Sequence, residues 1–216
     1  MRIFSRTILL AVCVLMAGCA QIKNAEFLSS TTPKPSNALA VVSMADGAVA
    51  LTPPPDYCID KSSLKPRFAL MARCDVLGAE SDTDASLALI TVTLVPLAVG
   101  VEVPNSADLA AALEPDTILQ TSDTDGLALV QTKSATGLEG VSERHWRGVF
   151  VVNGILVGLA LYGPPDGQAN GNAGGPILSA LAKRTIAQTK AQTSPQLVAR
   201  SATNFAFDLA VFGNEN

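Results

Sequence analysis

Asn153-Gly154 sits between two strand-like runs, Arg144–Val152 and Ile155–Tyr162, and no other pair of residues restricts the chain so tightly. Asn-Gly adopts left-handed backbone readily and closes the two-residue turn whose twist matches antiparallel strands. The pattern predicts a hairpin. Ile155–Tyr162 is apolar on both faces, with Gly158 and Ala160 making one face small. Such a strand is expected in the middle of a sheet, covered on both sides, with a helix against the small face.

Further elements extend this nucleus. Leu39–Ser43 and Ala48–Thr52 flank Ala45-Asp46-Gly47, a second hairpin signal, and Pro53-Pro54-Pro55 stops the pair because proline cannot donate to a ladder. Arg67–Asp75 alternates Phe68, Leu70, Ala72 and Cys74 against Arg67, Met71 and Arg73, which predicts a half-buried strand with Cys74 inward. Ser81-Asp82-Thr83-Asp84 reads as an acidic turn, and Leu87–Val95 is the most β-rich run. Asn105 or Ser106 caps a short helix, Ala107–Leu113, ended by Pro115. Thr117–Thr121 and Leu127–Lys133 are weaker strands.

Gly163–Gly175, rich in Gly, Asn and Pro, reads as a mobile loop. A helix follows, with Ile177, Leu178, Leu181, Ala182 and Ile186 on one stripe and Lys183, Arg184 and Lys190 outward. Asn204–Phe212 alternates Phe205, Phe207, Leu209 and Val211, the pattern of a last strand. The sum is an α+β domain, a mostly antiparallel sheet with helices packed on one face. The order of elements loosely resembles the PsbP/Mog1-like fold found in several lipoproteins.

The N-terminus follows different rules. Arg2 and Arg6 precede an uncharged apolar run, Ile8–Met16, and Ala17-Gly18-Cys19 follows it, the layout of an export signal rather than a folded element. The small pair before cysteine resembles the lipobox of bacterial lipoproteins, although Met16 stands where leucine is usual. The resemblance implies removal of residues 1–18 and acylation of Cys19 with palmitate-type chains; two or more chains anchor stably where one does not. Ordinary cleavage after Ala20 and an uncleaved anchor are the alternatives, the second short of the ~20 residues a span needs. Ala20 after the cysteine resembles the outer-membrane sorting pattern, which implies an anchor facing the periplasm. Residues 19–36, with Ser29-Ser30-Thr31-Thr32-Pro33-Lys34-Pro35-Ser36, form a flexible tether spanning ~25 Å, and 37–216 a single domain.

Loss of Arg2 and Arg6 takes the net charge from −4 to −6. An acidic domain has no electrostatic reason to seek nucleic acid or anionic lipid, so membrane attachment would come from the acyl chains. Cys58 and Cys74 remain as an even pair in a compartment that permits disulfides, and a bond between them is expected. A redox pair usually reads C-x-x-C, and zinc would need two more ligands. Asp-Gly hairpin, prolines, Tyr57-Cys58-Ile59-Asp60 and a strand ending in a second cysteine together resemble a group of short uncharacterised bacterial lipoproteins over roughly Val41–Asp75.

Candidate chemistry is sparse. Asp123-x-Asp125-Gly126 looks like part of a calcium loop, but EF-hand register puts Thr121 and Thr132 where acids belong, so a turn is the better reading. His145 is the one histidine. Glu143, His145 and Arg147 share a strand face that would contact an anion, or else form a solvated face opposite Trp146. A hydrolase or transferase would pair His145 with Asp60 or Glu143, yet no nucleophile elbow, Walker A or G-x-G-x-x-G run accompanies it. Gly171-Asn172-Ala173-Gly174-Gly175 before the helix lacks a P-loop lysine and reads as a linker. The expectation is a non-enzymatic lipoprotein, without metal or cofactor, that binds another envelope component or a small ligand.

Overall fold

The computed structural model describes residues 36–80 and 84–211, with side chains through residue 193. Export signal, Cys19, most of the tether, Ser81-Asp82-Thr83 and Phe212 lie outside the described residues. Ten strands run in chain order as β1 (Ala38–Leu39), β2 (Val42–Met44), β3 (Val49–Leu51), β4 (Tyr57–Asp60), β5 (Phe68–Arg73), β6 (Leu89–Pro96), β7 (Thr117–Thr124), β8 (Leu127–Lys133), β9 (Arg144–Val152) and β10 (Ile155–Tyr162). The helices are α1 (Ser106–Ala112) and α2 (Gly174–Val211). Eight strands form one sheet, ordered β1-β4-β5-β6-β10-β9-β8-β7, and every neighbouring pair is antiparallel. The domain is α+β.

Both tight turns behave as their residues demand. Asn153 and Gly154 take φ of 50° and 71°, Asp125 and Gly126 take 51° and 76°, and each pair closes a two-residue hairpin. The first hairpin forms too, but its leading strand divides. Ala38–Leu39 joins β4 in the main sheet, while Val42–Met44 pairs only with β3 in a separate ribbon. The ribbon lies on α2. Thr189 Oγ1 accepts from the Ala50 amide at 2.9 Å, and Thr185 Oγ1 accepts from the Thr52 amide at 3.1 Å. Two threonines one turn apart thus satisfy backbone donors that have no strand partner there.

The core lies between the sheet and α2. Ile59, Met71, Ile90, Val92, Phe150, Val157 and Leu161 share one buried cluster with Val49 and Leu51 of the ribbon and Leu178 and Leu181 of α2, all 0 % exposed. Burying each such side chain contributes ~1.5–3 kcal/mol. Gly174 lets the helix start touch the ring of Trp146; a Cβ there would collide with the indole and with the Ala169 carbonyl.

Several expectations are corrected. On β5, Ala69 and Met71 face the core, while Phe68 and Leu70 are half-buried on the reverse side. Apolar residues on both faces make the strand ambiguous, and a one-residue phase change inverts it. Cys74 lies past the end of β5 and is half-buried rather than inward. The helix packs on the large face of β10, through Val157, Leu159 and Leu161, not on Gly158 and Ala160. Large side chains fill the gap beneath α2, whereas Gly158 makes room for Thr93, whose Oγ1 would stand 2.7 Å from a Cβ. Residues 204–211 are helical, a continuation of α2. Phe205/Leu209 and Phe207/Val211 are also i,i+4 pairs, so their spacing serves a helix as well as a strand. Finally, Gly163–Gly175 is tied to the sheet: Gln131 Nε2 donates to the Asn170 carbonyl at 2.5 Å and Trp146 Nε1 to the Gly171 carbonyl at 2.9 Å.

Asn105 caps α1, accepting from the amides of Ala107 and Asp108 at 2.9 and 3.0 Å, and the Asn105 amide in turn donates to the Asp108 carboxylate at 3.0 Å. Asp123 holds α1 to β7 by accepting from the Ser106 amide at 2.9 Å and from its hydroxyl at 2.5 Å.

Candidate functional site

Cys58 and Cys74 are joined by a disulfide, with Cα atoms 4.9 Å apart. Cys58 alternates with the core residues Tyr57 and Ile59, so the bond lies on the reverse side at the open end of the β4–β5 hairpin. There the Cys74 amide also donates to the Asp56 carbonyl at 3.0 Å. A crosslink over 16 residues stabilises by ~3 kcal/mol in the chain-entropy model.

His145 is 1 % exposed, so the reverse face is not solvated at this point. Its ring stacks on Tyr162, centroids 5.0 Å apart, and the Arg147 guanidinium stands 5.4 Å from the same ring. Nδ1 lies 2.9 Å from the Glu143 carbonyl, which only accepts, so that nitrogen carries the proton. Nε2 therefore presents a lone pair, buried and without a hydrogen-bond partner among the described residues. Burial pushes the imidazole below its usual pKa; the Glu143 bond opposes this, the Arg147 charge reinforces it and Asp116 opposes it. A neutral, stacked ring results.

The suggested carboxylates stand elsewhere. Asp60 caps a short 3-10 turn, accepting from the Ser62 amide at 2.9 Å and from its hydroxyl. Its strand is four places from that of His145, about 19 Å across the sheet. The Glu143 carboxylate turns to Lys133 at 3.6 Å. Asp123 is occupied by Ser106, and Asp125 pairs with Lys183 at 3.0 Å, so the two acids of the calcium-like turn point to different partners. Among the described residues no cluster of three His, Cys, Asp or Glu could hold a metal. None of their helices is long and apolar enough to cross a membrane.

Three clefts formed by described residues bear on the site, and His145 lines none of these three. One, about 690 Å³, lies between the β2–β3 ribbon and the turn Leu64–Arg67. Its floor is Val42, Met44, Leu94 and Ile155; Lys65 and Arg67 stand exposed among its lining residues. A second, about 590 Å³, is lined by Lys133, Glu143, Arg144 and Asp166 among others. A third, about 350 Å³, runs between β7 and the start of α2 past Gln120, Ser122 and Ser179. Sequence reading overlooked the cleft beside the β2–β3 ribbon, because its walls are far apart in the chain; the basic pair Lys65/Arg67 in a proline turn was the available signal.

No known family model matches the chain, and no curated protein is detectably similar to it in sequence.

Proposed function

We propose that the protein is a lipid-anchored lipoprotein of the cell envelope, facing the periplasm, and that its domain works by binding rather than by catalysis. The observation that carries this reading is Ala17-Gly18-Cys19 placed directly after a basic and then apolar N-terminus, ahead of a domain stapled by Cys58–Cys74. A disulfide fits an oxidising compartment. Binding is favoured because His145, the chain's single histidine, is spent on packing against Tyr162 and lines none of the three clefts.

Metabolic labelling with a palmitate analogue tests the anchor. The wild-type protein should be labelled and sediment with membranes, whereas Cys19→Ser should lose the label and enter the soluble fraction. Unchanged sedimentation of the variant would refute the anchor.

A further inference from the structure

The cleft between the β2–β3 ribbon and Leu64–Arg67 is built like a receptor for an anionic amphiphile. Its floor lies over the core: Val42, Leu64 and Ile155 are half-buried there, above Met44 and Leu94, which are 5 % and 2 % exposed. These apolar side chains can receive a hydrocarbon segment, and about 690 Å³ lies within the usual range of small-ligand pockets.

Both walls are preorganised. On one side, Lys65 and Phe68 exchange backbone hydrogen bonds of 2.9 and 3.2 Å, and the Arg67 carbonyl accepts from the Leu94 amide at 3.0 Å. On the other, the ribbon turn closes through Ala48 to Ala45 at 3.0 Å, and Asn153 Nδ2 clamps the Ala48 carbonyl at 3.1 Å. Little ordering remains to be done on binding.

Charge selects the head group. Lys65 and Arg67 are exposed and form no ion pair among the described residues, against one carboxylate on the lining, Asp46. Two cations over an apolar floor, in a chain of net charge −4, are a local reversal of the prevailing field.

We infer that this cleft binds a single-chain anionic amphiphile, its hydrocarbon against Val42, Leu64 and Ile155 and its head group against Lys65 and Arg67. The inference rests on the domain's being a binding module and names its ligand class. Carboxylate and phosphate heads share the required chemistry.

Native mass spectrometry of the full chain, carried in a non-ionic detergent, tests the inference. Three twelve-carbon probes are titrated: dodecanoate, dodecanoyl lysophosphatidylglycerol and dodecyltrimethylammonium. One equivalent of an anionic probe should bind, and the preferred one identifies the head group. The cationic probe should bind at least about tenfold more weakly, and Lys65→Gln/Arg67→Gln should weaken the anionic probe by about tenfold. Ile155→Trp, filling the floor, should abolish binding. Equal binding of the cationic probe, no stoichiometric anionic complex, or an unchanged affinity in the double variant would overturn the proposal. The double variant alters exposed side chains only, so it remains informative if Ile155→Trp fails to fold. The Cys19→Ser result reads the anchor alone, so either idea can fail without the other.

Discussion

The two faces of the eight-stranded sheet come from the same alternating strands but are finished by different physics. Under α2 the contacts are aliphatic and aromatic, with Phe150, Leu161, Leu178 and Leu181 closed to solvent. On the reverse side of β8, β9 and β10, His145, Thr132 and Ala160 are buried beside the half-buried Arg147 and Tyr162. There, Nε of Arg147 and Nε2 of His145 have no hydrogen-bond partner among the described residues. One face gains from transfer out of water. The other includes buried polar groups whose desolvation offsets part of that gain. The difference teaches that burial alone does not rank these faces; the satisfaction of polar atoms does.

Three substitutions would break or sharpen the contrast. Leu181→Ala, in the dry layer, should cost the most, about 2–5 kcal/mol through lost transfer energy and a cavity, read as a lowered denaturant midpoint at constant slope. A cost under about 1 kcal/mol would mean the helix-covered face is not the principal core. Thr189→Val keeps the shape but strands the Ala50 amide, so about 1–3 kcal/mol should be lost, with faster amide exchange confined to the β2–β3 ribbon. Unchanged exchange there would show that the ribbon does not depend on α2.

The smallest effect concerns pH. His145 has a folded pKa below its ordinary 6.5, so the unfolded chain binds more protons and stability rises with pH across that interval. The contribution is complete above pH 6.5 and is lost as pH falls toward the folded pKa. His145→Phe preserves ring stacking on Tyr162 and removes the titration, so chemical denaturation at a series of acidic pH values should give a flatter profile than the wild type. Parallel profiles would exclude His145 as a source of acid sensitivity.

Legibility varied with the range of the interaction that decides each element. Asn153-Gly154, Asp46-Gly47, the Asn105 cap and the stripe Leu178/Leu181/Ala182 were readable because turn chemistry, capping and helical period act over a few residues. The Cys58–Cys74 bond was readable because few cysteines were available. The phase of β5, the face of β10 that receives α2 and the helical state of 204–211 were not, since each sequence satisfies two periodicities or two faces equally. At the candidate cleft, Lys65 and Arg67 were visible as residues but not as a rim. Val42, Leu94 and Ile155 come together only when three separate connections close on one end of the sheet.

By itself the sequence determined where the chain must turn, which segments are apolar enough to be strands and how its cysteines could pair, because these depend on local backbone preference and composition. Tertiary structure alone decided which face of each strand is the inside, that Thr185 and Thr189 would anchor a ribbon, and that His145 would be buried against Tyr162. Those outcomes depend on what packs opposite, and the partner in each case lies on a different element of the chain.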